Sequence, residues 1–488
     1  MKVAVDRQSA EPVYLQLRNS ISHLIRSGGL QPGDRLPSIR QMAEAANVNK
    51  LTVVEAYSVL EADGLIQARQ GAGFFITQPA QRSPKRPSTF APDQQVIIPS
   101  AEKPSFLDTR TALLQANVIP GVIPFNSGLP SASNLDDLQR IARRAIKESA
   151  DKFFCLNPPQ GDPKLRSQIA QLLVQLGLAT TPESLLITSG SMQALSLITQ
   201  HLIQPGDWVV VESPTFYGYL SLLQQAGARV IAIPMTASGM NLELLEQYLA
   251  SHRPKLIYTI STQHNPTGIT TDLAHRRRLL DLAEQYDCLI LEDNAYEWLS
   301  YGPTPPPIKA LDRCDRVIYV GTFSKTLMPA LRVGYAIVTG DLYQPLVERK
   351  LLHDLHVSIV SQAIISEYLT SGHYRRHLNL RRASNQQNRD IMLKAMETHF
   401  PEEVSWTVPQ GGIFLWTQLP AGVDLERVCR QAAEQKVLVA PGSAFFADKQ
   451  GYPALRLSYS QPLEVIERGI AILGQVLKRQ LGQRSLSA

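Results

Sequence analysis

The stretch GTFSKTLMPALRVGY (Gly321–Tyr335) holds one lysine, Lys325, and one arginine, Arg332, seven positions apart. An amine beside a guanidinium can attack a carbonyl compound while the arginine holds that compound's anionic group. Four other short stretches carry groups of related use. Ser189-Gly190-Ser191-Met192 follows LLIT, Thr215-Phe216-Tyr217 follows VVVESP, Asn265 stands in TQHNPTG, and Glu292, Asp293 and Tyr296 follow LIL. Taken singly, each has a plainer reading. A lysine is usually a solvated surface residue, Gly-Ser before a helix is usually a cap, Asn-Pro-Thr-Gly is usually a turn, and an acid at a strand end is usually paired.

What they share is where they stand. SLLITSG, WVVVESP, RVIAIP, KLIYTIS, CLILED and RVIYVGT are short, near-continuous apolar runs, separated by helical patterns such as SMQALSLITQHL and AHRRRLLDLAEQY. Apolar runs of this kind alternating with helices predict a mostly parallel sheet covered on both faces. In such a sheet, ligands gather at the C-terminal strand ends. The same edge would then present an amine, an acid, a phenol, an amide, an aromatic ring and two anion sites. Those groups match the needs of pyridoxal phosphate. Its aldehyde takes a lysine as a Schiff base, its pyridine nitrogen takes a carboxylate, and its phosphate takes a helix N-terminus and an arginine.

The first 77 residues have another pattern. Val13, Leu17, Ile21 and Leu24 share one helical face, as do Ile39, Met42, Ala43 and Ala46, and then Val53, Ala56, Tyr57 and Leu60. A turn, NVNKLT, separates the last two, and LIQARQGAGFFI after Gly64 reads as a hairpin. Three helices and a hairpin predict a winged helix-turn-helix, a fold that lays its third helix in a DNA major groove. Residues 78–105, rich in Pro, Ser and Gln, read as a linker. The domains are thus expected at 1–77 and 106–488, with a smaller C-terminal subdomain over roughly 370–488.

Composition agrees with two or more globular units: 488 residues, 44% hydrophobic and 19% charged. No apolar run reaches the ~18–20 residues of a membrane span, and the N-terminus lacks a signal-peptide core. Four cysteines without a CxxC pair suit a reducing cytoplasm and give no zinc spacing, so no metal is expected. The net charge is +5; through Phe90 there are 11 Lys/Arg against 7 Asp/Glu, which hints at an anionic partner for the N-terminal region.

Both halves together resemble a known arrangement. The C-terminal constellation is similar to the fold-type I pyridoxal-phosphate aminotransferases, and PGDRLPSIRQMAEAANVNKLTVVEAYSVLEADGLIQARQGAGFFI is similar to the GntR signature. In this order they resemble the MocR-like regulators over nearly the whole chain. The resemblance implies that Lys325 forms the Schiff base and moves the substrate Cα proton. It implies that Asp293 meets the pyridine nitrogen, that Asn265 and Tyr296 donate to the ring oxygen, and that Phe216 stacks on the ring. Ser191, Met192, Thr322 and Arg332 would surround the phosphate, and Arg456, in LRLSYS, would hold an α-carboxylate. Arg35, Ser38, Arg40, Lys50, Thr52, Gly71 and Gly73 would approach double-stranded operator DNA, and the subunits would form homodimers.

Three positions depart from the pattern. Met192 stands where relatives often carry Gln and can offer only its backbone N–H. DKFFCLNPPQG has no tyrosine where many aminotransferases reach the partner's phosphate. Asn49-Lys50 replaces a common Ser-Arg, and lysine is a point charge where arginine is a bidentate reader of guanine. The leading expectation is a regulator that senses an amino acid or amine through pyridoxal phosphate. The alternative is a working aminotransferase with a 2-oxo acid acceptor. A cofactor-free scaffold would require the whole constellation to be coincidence.

Overall fold

The computed structural model describes residues 13–76 apart from 27–29, 32, 63–64 and 70–72, residues 96 and 98, and residues 121–484 apart from 131–134 and 449–450. The chain forms two compact units, Met1–Lys85 and Arg86–Ala488. All but two residues of the expected linker, and Gly71, lie outside the described residues.

The first unit packs α1 (Val13–Arg26), α2 (Ile39–Ala46) and α3 (Lys50–Ala62) against a hairpin of β1 (Ile66–Arg69) and β2 (Gly73–Ile76). The apolar stripes read from the sequence form its core: Leu17, Ile21, Met42, Val53, Ala56, Tyr57 and Leu60 are all buried. A capping box starts α2, with Ser38 Oγ accepting from Gln41 N–H and Gln41 Oε1 accepting from Ser38 N–H. Asn47, in the left-handed region, ends it.

The second unit contains β3 (Ile123–Pro124), β4 (Leu185–Thr188), β5 (Trp208–Ser213), β6 (Arg229–Thr236), β7 (Gly239–Met240), β8 (Leu256–Thr259) and β9 (Leu289–Asp293). It continues with β10 (Val317–Thr322), β11 (Gly334–Ile337), β12 (Ser405–Trp406), β13 (Phe414–Gln418), β14 (Val437–Leu438), β15 (Ala440–Pro441) and β16 (Ala454–Ser458). Among the described residues the main sheet has the order β4-β11-β10-β9-β8-β5-β6-β7. The pairs β10/β9, β9/β8, β8/β5 and β5/β6 are parallel, whereas β11 runs against both neighbours. The six apolar runs are β4, β5, β6, β8, β9 and β10, and β4 and β10 are buried along their whole length. Besides the two-residue β7, strand β11 is the main-sheet element the sequence pattern did not single out. It follows β10 after a short connection with no α-helix, and so returns antiparallel.

A smaller antiparallel sheet, β12-β13-β16-β15, is covered by the helices His373–His399 and Leu463–Arg484. This subdomain also recruits residues from far upstream. Strand β3 pairs in parallel with β14, and Ile123 and Phe125 are buried in its core beside Met392, Leu457 and Ile470.

Candidate functional site

The helix Ser191–Leu202 begins where β4 ends, and its N-cap, Gly190, offers no side chain to the free N–H groups. Gly190 sits at φ +77° and ψ 170°, a region essentially reserved for glycine. Arg332 closes over it, with Nη2 donating to Ser189 O at 3.0 Å and Nη1 to Ser324 Oγ at 3.3 Å. A Cβ on Gly190 would stand 2.5 Å from Arg332 Nη2. Thr322 Oγ1 donates to Val333 O and accepts from Ser324 N–H, which shapes the turn that carries Lys325. Free N–H groups, a helix dipole, a guanidinium and hydroxyls converging on one point make an anion cradle. Met192 packs its side chain against the core, which leaves only its backbone at the cradle. Behind it, Gln193 accepts from Ser189 N–H through Oε1 and donates to Asp354 Oδ2 through Nε2, at 2.7 and 2.8 Å.

Lys325 Nζ donates to Gly128 O at 2.8 Å and lies 5.9 Å from the centre of the Tyr296 ring. Burial, with Arg456 and Arg332 nearby, lowers its ammonium pKa to about 8, while Asp293 opposes the shift. Asp293 ends β9, and burial raises its carboxyl to about 6 against the pull of the Tyr258 hydroxyl, Lys325 and the Ala295 N–H. Its Oδ2 accepts from Tyr258 at 2.9 Å, and its Oδ1 is left without a hydrogen bond. Arg456, on β16, is 2% exposed. Its Nη1 donates to Asn265 Oδ1 at 3.0 Å, its Nη2 to Asn126 O at 2.8 Å, and its Nε has no partner. Phe414 and Phe445 pack against the guanidinium, 3.9 and 4.9 Å from ring centre to Cζ. Arg456 donating to Asn265 Oδ1 fixes the amide's orientation and leaves its Nδ2 as a donor. Tyr296 is buried, with its ring edge-on to Phe414. Phe216 caps the helix Tyr217–Gln225 and leans on Tyr217, whose ring meets Phe445.

Around Lys325, then, the fold assembles Asp293, Tyr296, Asn265 and Arg456, with Arg332, Ser191, Met192 and Thr322 forming the cradle. Sequence reading missed several participants. Ser324 adjoins Lys325 and could have been found by adjacency. Tyr258 lies inside an apolar strand and gives no local signal, while Asn126 and Gly128 come from the other end of the unit. A buried pair, Glu212 with His264 at 3.0 Å, braces the Asn265 turn from behind. The residues fit pyridoxal phosphate: a carboxylate oxygen and a guanidinium nitrogen are buried and unpartnered beside a softened lysine, next to a built anion cradle.

In the first unit Arg40 is exposed and pairs with Glu44 at 3.1 Å. Lys50 opens α3 and is exposed, and Thr52 is half-buried one position beyond Leu51. A Cβ on Gly73, at φ +100°, would stand 3.4 Å from Arg35 Nε, so this arginine lies along the wing. Ser38 is engaged in the capping box of α2.

Two family descriptions match the chain: "Bacterial regulatory proteins, gntR family" over residues 13–76 and "Aminotransferase class I and II" over residues 120–473. The uncharacterised HTH-type transcriptional regulator YdcR of Escherichia coli is 30% identical, over 96% of this chain and 99% of its own length. A probable rhizopine catabolism regulatory protein, MocR of Rhizobium meliloti, is 28% identical over 91% of this chain and 89% of its own. Among solved structures, LysN, an α-aminoadipate aminotransferase of Thermus thermophilus complexed with N-(5'-phosphopyridoxyl)-L-leucine, is 33% identical. It covers 77% of this chain and 95% of its own, with a TM-score of 0.72. The chain belongs to the aminotransferase class I and II family, with a gntR-type regulatory domain in front of it, the arrangement it shares with YdcR and MocR.

Proposed function

We propose that this regulator binds operator DNA through its gntR-type head and senses an amino acid or amine through pyridoxal phosphate held in its aminotransferase-type domain. The observation that carries the reading is the pair of buried, unpartnered groups, Asp293 Oδ1 and Arg456 Nε, both acting electrostatically on Lys325. Buried polar groups without a partner cost free energy unless a ligand pairs with them.

When bound, pyridoxal phosphate supplies an electron sink for charge developing at an amino compound's Cα. The chain's residues set the conditions for that. Lys325, with its lowered pKa, is available as a neutral amine to hold the aldehyde carbon and to carry a proton to or from Cα. Asp293 keeps the pyridine nitrogen protonated, and Asn265 and Tyr296 donate to the ring oxygen. Phe216 covers a ring face. The N–H groups of Ser191 and Met192, with Thr322, Ser324 and Arg332, hold the phosphate, and Arg456 takes the α-carboxylate. The head presents Arg35, Arg40, Lys50, Thr52 and the wing around Gly73 to DNA, with the linker over 78–105 behind it.

The test combines two measurements on the full chain. Added pyridoxal phosphate should give a visible absorbance that Lys325→Ala removes. A duplex from the gene's upstream region should be retarded in a gel, with retardation changed by cofactor and amino acids. No absorbance, or absorbance unaffected by Lys325→Ala, sinks the cofactor reading; no retardation under any condition sinks the regulator's DNA step.

The likeness to LysN favours a second reading, an aminotransferase that turns over. Sustained 2-oxo acid release at ordinary enzyme rates would promote it. A homodimer is part of the proposal, checked by sedimentation; Phe154, Leu156 and Leu352, exposed at 96, 79 and 89%, are the large apolar side chains it could cover. The four cysteines are free thiols, in keeping with the cytoplasm, and among the described residues no helix is long and apolar enough to cross a membrane.

A further inference from the structure

Helix α3 is apolar on two faces. Val53, Ala56, Tyr57 and Leu60 are fully buried against α1, α2 and the hairpin, which satisfies the helix's need for a core face. On the opposite face Leu51 is 74% and Val54 40% exposed, at i and i+3, with Ser58 continuing the stripe and Lys50 and Glu55 flanking it. The first turn is held rigidly: Asn49 Oδ1 accepts from Leu51 N–H at 3.0 Å, and Asn49 O accepts from Thr52 N–H at 3.1 Å. The two side chains are therefore presented at a fixed angle at the leading end of the helix.

A single exposed leucine needs no explanation. Two apolar residues on the outward stripe of a helix-turn-helix reading helix, beside its leading lysine, do. In the major groove a base edge offers donors, acceptors and one apolar group, the pyrimidine C5 methyl, which in unmodified DNA belongs to thymine. Leucine and valine can make no hydrogen bond to a base edge. Exposed Arg40 and Lys50 on the same module supply the positive charge that draws the phosphate backbone to this face.

We propose that Leu51, supported by Val54, reads the C5 methyl of a thymine in the operator, and that it sets sequence preference where Lys50 supplies mainly charge. This rests on the DNA-binding reading of the head. It predicts a half-site with at least one obligatory thymine, recognised by contact with its methyl group.

The experiment uses the full chain. Random-sequence duplexes are selected for binding, and the best is remade with each thymine replaced in turn by deoxyuracil, which removes only the methyl. Wild-type protein should bind one or two of the uracil duplexes in each half-site about fourfold more weakly, the worth of one buried methyl. Leu51→Ala should bind the thymine and uracil duplexes equally, at about the affinity of wild type for uracil. Lys50→Ala should bind all duplexes more weakly and keep the thymine–uracil difference. Leu51 is exposed, so Leu51→Ala should fold, and an unchanged melting curve checks this. A selected duplex that binds tightly with no uracil effect, or an effect that survives both Leu51→Ala and Val54→Ala, overturns the inference while leaving DNA binding intact. Failure to select any duplex overturns the DNA-binding reading itself, and this inference with it.

Discussion

Tyr258 donates its phenol O–H to Oδ2 of Asp293 at 2.9 Å, and the carboxylate's other oxygen is left without a hydrogen bond. Tyr258 is itself clamped by a stacked ring, Tyr219, at 3.8 Å between centres. One oxygen is thus tied down so that the other is presented. Tyr258→Phe should keep the fold and weaken pyridoxal phosphate binding by roughly tenfold, the worth of one charge-assisted hydrogen bond. An absorbance titration measures it. Unchanged affinity would make Tyr258 a packing residue only.

Asp293 should be a burden on the ligand-free protein. Its carboxyl is raised to about 6 by burial, so ionising it above that pH opposes folding. The sign follows from the raised value: stability is greatest while the group is protonated and falls as pH rises through about 6. Asp293→Asn should therefore stabilise the ligand-free protein at pH 8 by on the order of 2–3 kcal/mol and leave it little changed at pH 4, where the acid is neutral. Denaturant titrations at the two pH values check it. The same substitution should abolish tight cofactor binding.

The lowered pKa of Lys325 sets a rate. Only the free amine is nucleophilic, so capture of added pyridoxal phosphate should accelerate as pH rises through about 8 and level off above it, well below the range of an ordinary lysine. Stopped-flow absorbance from pH 6.5 to 9.5 reads the midpoint. Substituting Arg456, one of the two cations that depress it, with Gln should move that midpoint upward.

Gly190→Ala forces a Cβ to 2.5 Å from Arg332 Nη2 in a glycine-only conformation. The arginine must leave the cradle or the turn must deform, at about 1–3 kcal/mol. Cofactor affinity should fall by at least tenfold, whereas DNA binding in the absence of cofactor should be untouched. Paired absorbance and gel-retardation titrations separate the two.

Lys350 is fully buried, and Asp354 meets its ammonium at 2.6 Å. Asp354→Ala strands that charge and should cost about 3–5 kcal/mol. Adding Lys350→Met should recover most of it, and the double-mutant cycle isolates the pair. Because Asp354 also accepts from Gln193, Asp354→Ala should loosen the phosphate cradle as well, and the double mutant should not repair that loss.

Much of this site was legible in the chain because each strand of a parallel sheet delivers its next residues to the same edge. Lys325, Asp293, Asn265 and the Ser191 turn could be grouped on that basis alone. The reading helices of the head were legible for a similar reason, since three apolar stripes at helical spacing leave little choice of fold. What stayed hidden arrives by long connections. Tyr258 looks like any apolar-strand aromatic until β8 is placed beside β9. Asn126 and Gly128 carry no motif at all, since it is their carbonyls that act. Strand β11 was hidden because a short apolar run in a parallel-looking context does not declare its direction.

Residues 123–128 serve two purposes at once. Ile123 N–H and Asn126 N–H bind the carbonyls of Lys436 and Leu438, and Phe125 O accepts from Ser458 N–H, so the stretch is moored in the C-terminal subdomain. The carbonyls of Asn126 and Gly128 meanwhile hold Arg456 and Lys325. A molecule that draws Lys325 or Arg456 away from those carbonyls therefore acts on the same strip of backbone that ties the C-terminal sheet to the site.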